Sequence, residues 1–246
     1  MSARVHFPPV IFGTTALGNI YEEIPYATKL AIMKECVQNA PGGLLMFDSA
    51  GKYGAGLALE VLGQCLDELG VAPENVIISN KLAWYRVPLT GPESTFEPGV
   101  WHNLKHDAVQ KISYQGILEC YEQGNELLGK YSTQTASVHD PDEYLAAAVD
   151  EADDKKRFQD ILDAYKALQE LKAAGKISSV GVGAKNWRSI ERIAQQVDLD
   201  WVMIANSITV HSHPKPLLEF MAQLHSKGVV IINSAVFNGG FLVGRD

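Results

Sequence analysis

The feature that most constrains this chain is an alternation. Short apolar runs of strand length are each followed by a stretch whose apolar residues recur at helical spacing. The runs are Val10–Phe12, Leu44–Phe47, Val76–Ser79, Thr135–His139, Ile177–Val182, Trp201–Ile204 and Val229–Ile232. The helical patterns lie over Ala27–Val37, Leu57–Leu69, Leu104–Leu128, Phe158–Leu171, Asn186–Val197 and Leu217–His225. Repeated strand–helix units of this kind select the α/β class, with a parallel sheet covered by helices. Six of them and a seventh strand predict a (β/α)8 barrel of the TIM type. An eighth strand and its helix would be needed for closure. Without them two strand edges stay open. One barrel domain over residues 1–246 is therefore expected, incomplete at its C-terminus and continued naturally beyond Asp246.

Composition narrows the classes of function. A chain that is 46% hydrophobic can bury a large core without disulfides or metal. A net charge of −8 argues against a nucleic-acid or anionic-membrane surface. Cys36, Cys65 and Cys120 are odd in number and sit in helical patterns, as buried thiols do in a reducing compartment. Neither a signal-length apolar core at the start nor a bilayer-length run later on is present, so a cytoplasmic location is expected.

Three of the apolar runs end on titratable residues, which packing alone does not explain. Leu44–Phe47 delivers Asp48 and then, through Gly51, Tyr53; Val76–Ser79 reaches Lys81; Thr135–His139 closes on its histidine. In a barrel of this class the strand carboxyl ends form the active site. Asp48, Tyr53, Lys81 and His139 are thus expected to face one pocket. Tyrosine titrates near 10, too high for a base near neutrality. An ammonium ~4 Å away at an effective dielectric of ~20 is worth ~4 kcal/mol, lowering the phenol by about three at most. Asp48 would pair with Lys81, orient it and offset part of that effect. His139 would hydrogen-bond the substrate oxygen. Such a set does acid–base work with no nucleophile and no metal cage, so hydride transfer would need a cofactor.

Four segments carry a resemblance: Gly13-Thr-Thr-Ala-Leu-Gly18, Asp48 to Gly54, Ser79-Asn-Lys81 and Ser137-Val-His139-Asp140. Together they resemble the aldo-keto reductase family over nearly the whole chain. Asp48-Ser-Ala-Gly-Lys-Tyr53 and Asn206 to Pro214 are similar to its aldose 1-dehydrogenase branch. The resemblance implies NAD or NADP as cofactor, and Tyr53 as acid/base with Asp48, Lys81 and His139 around it. It implies a sugar or aldehyde substrate, here an L-fucose-like aldose oxidised at C1 to a lactone. Gly13, Thr14, Asn186, Asn206 and the stretch Ser234 to Leu242, with Ala235, Phe237, Gly239, Gly240 and Leu242, become the cofactor-binding candidates. Asn186, Asn206 and Ser234 stand where the family commonly has a Ser-Asn pair, a glutamine and a stacking tyrosine. Its adenosine-phosphate residues lie further C-terminal.

Other readings compete at particular places. The insert Leu82–His102 is long for a connection and reads as a functional loop over the pocket, with Trp84 as a substrate wall beside His139 and Asp140. The acidic stretch Asp140–Asp154 reads as a solvated loop. His211 and His213 could bind metal but lack a nearby Cys or carboxylate, so no metal site is expected. Rival functions are a general aldehyde or ketone reductase, a non-catalytic cofactor-sensing barrel and a metal-dependent hydrolase.

Overall fold

The structure, a computed structural model, describes residues 6–237, 241, 242 and 244. Its centre is a parallel sheet of β1 (Phe12–Gly13), β2 (Leu45–Ala50), β3 (Val76–Leu82), β6 (Thr135–His139), β7 (Ser179–Ala184), β8 (Trp201–Ala205) and β9 (Val230–Ser234), paired in that order. The hairpin strands β4 (Trp84–Pro88) and β5 (His106–Gln110) lie outside it. Helices α1 (Tyr26–Gln38), α2 (Leu57–Glu68), α3 (Tyr114–Leu128), α4 (Pro141–Ala146), α5 (Glu151–Ala173), α6 (Trp187–Ala194) and α7 (Lys215–Ser226) fill the intervals. This is the (β/α)8 plan carried through seven parallel strands. Among the described residues β1 pairs only with β2, and β9 only with β8.

The two faces of the sheet differ in character. Side chains alternate along a strand, and the set Phe47, Ile78, Ala136, Val138, Val180, Val182, Val202 and Ile204 is buried against the helices. The opposite set is Asp48, Ser79, Lys81, Thr135, Ser137, His139, Ser179, Gly181 and Gly183, facing inward. Trp201 fills the lower interior. Its Nε1 donates to Thr135 Oγ1 at 2.7 Å, and Phe7 packs on it at 6.2 Å between centroids. Gly181 makes room for that indole, since a Cβ there would lie 2.1 Å from Trp201 Cδ2. Gly181→Ala is therefore expected to destabilise by about 3 kcal/mol, because a fully buried, hydrogen-bonded ring has nowhere to move. Urea unfolding would read this as a lower midpoint at unchanged slope, and an unchanged midpoint would refute it.

Three expectations are corrected. The insert Leu82–His102 is in part strand. Ala83, at φ 91°, turns the chain into the antiparallel pair β4–β5, with Trp84 opposite Gln110. Val109 and Ile112 precede the third helix, because Ser113 caps α3 by accepting from the Gly116 N–H at 3.0 Å. Their spacing suits a helix, but here Val109 belongs to β5. The acidic stretch is α4 plus the first turn of α5. Asp150 accepts from the Asp153 N–H as N-cap, and acidic residues suit that positive end of the helix.

Candidate active site

Asp48, Lys81 and His139 are delivered by neighbouring strands to one rim. Asp48 lies opposite Ser79, Ala50 opposite Lys81, Lys81 opposite Ser137, and His139 opposite Gly183. Tyr53 comes from the turn between β2 and α2. That turn packs so closely on the 3-10 turn Thr15–Gly18 that a Cβ on Gly54 would meet the Gly18 carbonyl oxygen at 2.4 Å. Gly54 also has φ 60°, so glycine is required here on both counts.

The four groups converge. Lys81 Nζ forms a close ion pair with Asp48 Oδ2, whose Oδ1 accepts from Ser79 Oγ at 3.1 Å. The same ammonium lies 4.9 Å from the centre of the Tyr53 ring. His139 meets that ring edge-on at 5.5 Å, and Trp101 packs against it at 6.0 Å. Trp101, from the loop between β4 and β5, drew no notice in the sequence beyond its place in the insert.

Burial opposes the charge on Lys81, but the Asp48 carboxylate and the Tyr53 phenol outweigh it and hold the pKa above the ordinary lysine value. Burial, then the ammoniums of Lys81 and Lys52, push His139 well below the ordinary imidazole value, so it is neutral at pH 7. For Tyr53 the balance differs from the expectation. Burial raises the phenol by more than Lys81 lowers it, and Asp48 adds to the rise. The Coulomb effect alone predicts a depressed value; desolvation of the phenolate among Trp101, His139 and the turn reverses the sign.

Lys52 was missed by the sequence reading. It is only 3% exposed, and its ammonium reaches Glu97 at 2.8 Å, Glu143 at 3.2 Å and Asp140 at 3.3 Å, with the Trp84 ring at 5.2 Å. A lysine flanked by two glycines' worth of turn reads as a solvated charge. Only partners from distant parts of the chain, Glu97, Asp140 and Glu143, reveal otherwise. Trp84 packs on Phe96 at 5.6 Å. Asp140 is nearly buried, with Oδ2 at 3.6 Å from His139 Nε2.

A cavity of about 460 Å³ lies between β1 and β9 and is lined by Gly13, Asp48, Met203, Ile232, Ser234 and Ala235 among others. That volume is in the range of small-molecule sites. The cofactor candidates distribute unevenly about it. Thr14 is buried, and its N–H and Oγ1 both donate to the Asp48 carbonyl, at 3.1 and 3.0 Å. Asn186 caps α6, its Oδ1 accepting from the Arg188 N–H at 3.0 Å, while its backbone N–H donates to Asp142 at 2.8 Å. Its Nδ2 has no hydrogen-bond partner among the described residues. Asn206, Phe237 and Leu242 are exposed, and Ser234 Oγ donates to the Ile204 carbonyl at 3.4 Å. Gly239 and Gly240 lie outside the described residues. Among the described residues no group of three His, Cys, Asp or Glu could hold a metal ion.

A parallel (β/α) barrel whose strand ends gather a tyrosine, a lysine–aspartate pair and a neutral histidine beside a cavity defines a class: barrels with an acid–base pocket at the carboxyl rim. The chain belongs to the aldo/keto reductase family, whose model matches residues 9–246. It is 28% identical over 242 residues to a pyridoxal 4-dehydrogenase of Microbacterium luteolum, covering 94% of this chain and 67% of that one. It is 24% identical over 249 residues to a D-threo-aldose 1-dehydrogenase of a Pseudomonas species, covering 98% and 69%. In structure it is similar to the glycerol dehydrogenase AKR11B4 of Gluconobacter oxydans, with TM-score 0.69 at 17% identity, over 100% of this chain and 65% of that one. Two further solved structures of this fold hold NADP. The chain thus spans about two-thirds of the length of the proteins it matches.

Proposed function

We propose that the chain carries the acid–base site of an NAD(P)-dependent oxidoreductase that oxidises an aldose at C1 to a lactone. The observation that carries this reading is the contact of the Tyr53 ring with both the Lys81 ammonium, at 4.9 Å, and the His139 imidazole, at 5.5 Å, near a cavity that reaches Asp48. The cavity is of small-molecule size, and Gly13, Asp48 and Ser234 line it together with Phe7, Pro8 and Met203. Gly13, Asn186, Asn206, Ser234 and Ala235 are the residues assigned to hold NAD or NADP. Bound by these residues, NAD(P) would supply the hydride acceptor for the anomeric carbon. Tyr53, as phenolate, takes the hydroxyl proton while the C1–O bond becomes the lactone carbonyl. Lys81 stabilises the phenolate, Asp48 fixes Lys81, and His139 orients the substrate oxygen through a hydrogen bond.

The raised Tyr53 pKa favours a second reading, reduction of aldehydes or ketones, because the protonated phenol is the form present at neutral pH. One assay separates them. The chain is incubated with a panel of aldoses and pyridoxal plus NAD+ or NADP+, and separately with simple aldehydes plus NADH or NADPH, followed by nicotinamide absorbance. Oxidation needs phenolate, so its rate is expected to rise with pH up to and beyond the ordinary tyrosine value of about 10. Reduction needs phenol and is expected to be flat up to that range. His139 is already neutral, so neither profile should show an imidazole step between about pH 6 and 8. Aldehyde reduction without sugar oxidation would replace the first reading with the second, and turnover of neither would sink both.

A further inference from the structure

Lys29, in α1, is only 4% exposed, yet no acid–base step uses it. Its two hydrogen bonds run to neutral oxygens, the Leu17 carbonyl at 2.9 Å and Asn19 Oδ1 at 2.6 Å. An ammonium held out of water beside neutral acceptors is unfavourable, and burial pulls its pKa below the ordinary lysine value. What it secures is the end of the 3-10 turn Thr15–Gly18. The Leu17 carbonyl belongs to the peptide that enters Gly18, and a Cβ on Gly18 would lie 2.8 Å from the carbonyl carbon of Tyr53. Gly18 is thus the surface on which the Tyr53 backbone rests.

Asn19 carries the second branch. It is buried at φ 63°, a left-handed conformation that asparagine adopts more readily than most residues. Its Oδ1 accepts from Lys29 and from the Ile24 N–H at 3.3 Å, which leaves Nδ2 to donate to the His102 carbonyl at 3.1 Å. The amide cannot be reversed, because Nδ2 would then face the ammonium, donor against donor. The His102 N–H returns a bond to the Asn19 carbonyl at 3.1 Å, the Tyr21 N–H donates to the Val100 carbonyl at 2.8 Å, and Ile20 bridges Trp101. Residues 100–102 are thereby laid along residues 19–21, and Trp101 reaches the Tyr53 ring at 6.0 Å. One ammonium holds both supports of the phenol, Gly18 at its backbone and Trp101 at its ring.

We propose that Lys29 and Asn19 are positioning residues for Tyr53, acting through Gly18 and Trp101 to fix the phenol and to keep water from its Trp101 side. This rests on the acid–base role given to Tyr53 above. A misplacement of about 1 Å at a reacting group can cost roughly 10²-fold in rate, so supports of this kind are read in kcat. Water admitted beside Trp101 would also relieve the burial that raises the phenol.

The test follows kcat against pH in the unmodified chain, Lys29→Met and Asn19→Asp, for oxidation of L-fucose with NAD+ or NADP+ and for reduction of glyceraldehyde with NADPH. The expected result in both variants is a kcat about ten-fold lower or more, cofactor affinity unchanged, and the Tyr53 inflection moved to lower pH. Lys81, Asp48 and His139 stay in place around the phenol. Each substitution removes a net positive charge, which alone would move the inflection upward, so a downward shift reports water at the ring. Asn19→Asp keeps the size of the side chain and faces Lys29 with a carboxylate, but it cannot donate to the His102 carbonyl. It therefore decides the matter even where Lys29→Met does not fold. An unchanged kcat in Asn19→Asp overturns the proposal. So does a lower kcat whose inflection stays or rises, which would make the pair merely structural. A Tyr53→Phe variant that keeps the rate of the unmodified chain, or an unmodified chain inactive in both directions, removes the acid–base reading and this inference with it. Loss of rate in Tyr53→Phe with Asn19→Asp unaffected removes only this inference.

Discussion

Tyr53→Phe is expected to cut kcat by roughly 10²–10⁴-fold while leaving NAD(P) affinity unchanged. The substitution removes one oxygen and preserves the ring that contacts His139 at 5.5 Å and Trp101 at 6.0 Å. Packing therefore survives and the proton path does not. Single-turnover kinetics would report the chemical step, and fluorescence titration the cofactor. Retention of more than about a tenth of the rate would assign the proton to another group. The alkaline rise of the oxidative rate should vanish in the same variant, which links that profile to this phenol and to no other.

Lys81→Met is expected to damage both activity and stability. The Lys81–Asp48 pair is buried, with side chains only 5% and 9% exposed. Removing one partner strands the other charge in a poorly solvated place, which typically costs about 3–5 kcal/mol. Ser79 Oγ still donates to Asp48, so the lower end of that range is expected, or a fall in melting temperature of about 10 °C for a chain of this size. Adding Asp48→Asn removes the stranded charge and should recover most of the stability, but none of the activity, since the ammonium that favours phenolate remains absent. Thermal unfolding of the two variants against the parent checks this. A single variant as stable as the parent would show that the pair is better solvated than its exposure indicates.

The strands of the parallel sheet were legible because consecutive apolar residues leave little choice of element, and three of them end on the residues that converge. The hairpin was not. Pro88, Gly91 and Pro92 dominate its sequence, and the pattern of Val109 and Ile112 satisfies a helix as well as a strand. Lys52 was hidden for a different reason. Its neighbours in sequence are Gly51 and Tyr53, and nothing local says that Glu97, Asp140 and Glu143 will enclose it. The sign of the Tyr53 shift failed on the same ground. The influence of one ammonium can be estimated from two residues, whereas desolvation depends on everything packed around the ring.

The separation of the two faces of the sheet bears on where a substitution is felt. Apolar packing on the helices resides in Phe47, Ile78, Val138, Val180, Val182 and Ile204, whereas the opposite face is lined by the small and polar Ser79, Ser137, Ser179 and Gly183. Changes on the helix-facing side act first on cohesion, whereas changes in the lining act first on the groups it holds, as Ser79 holds Asp48 and Gly183 leaves room for the Lys81 stem.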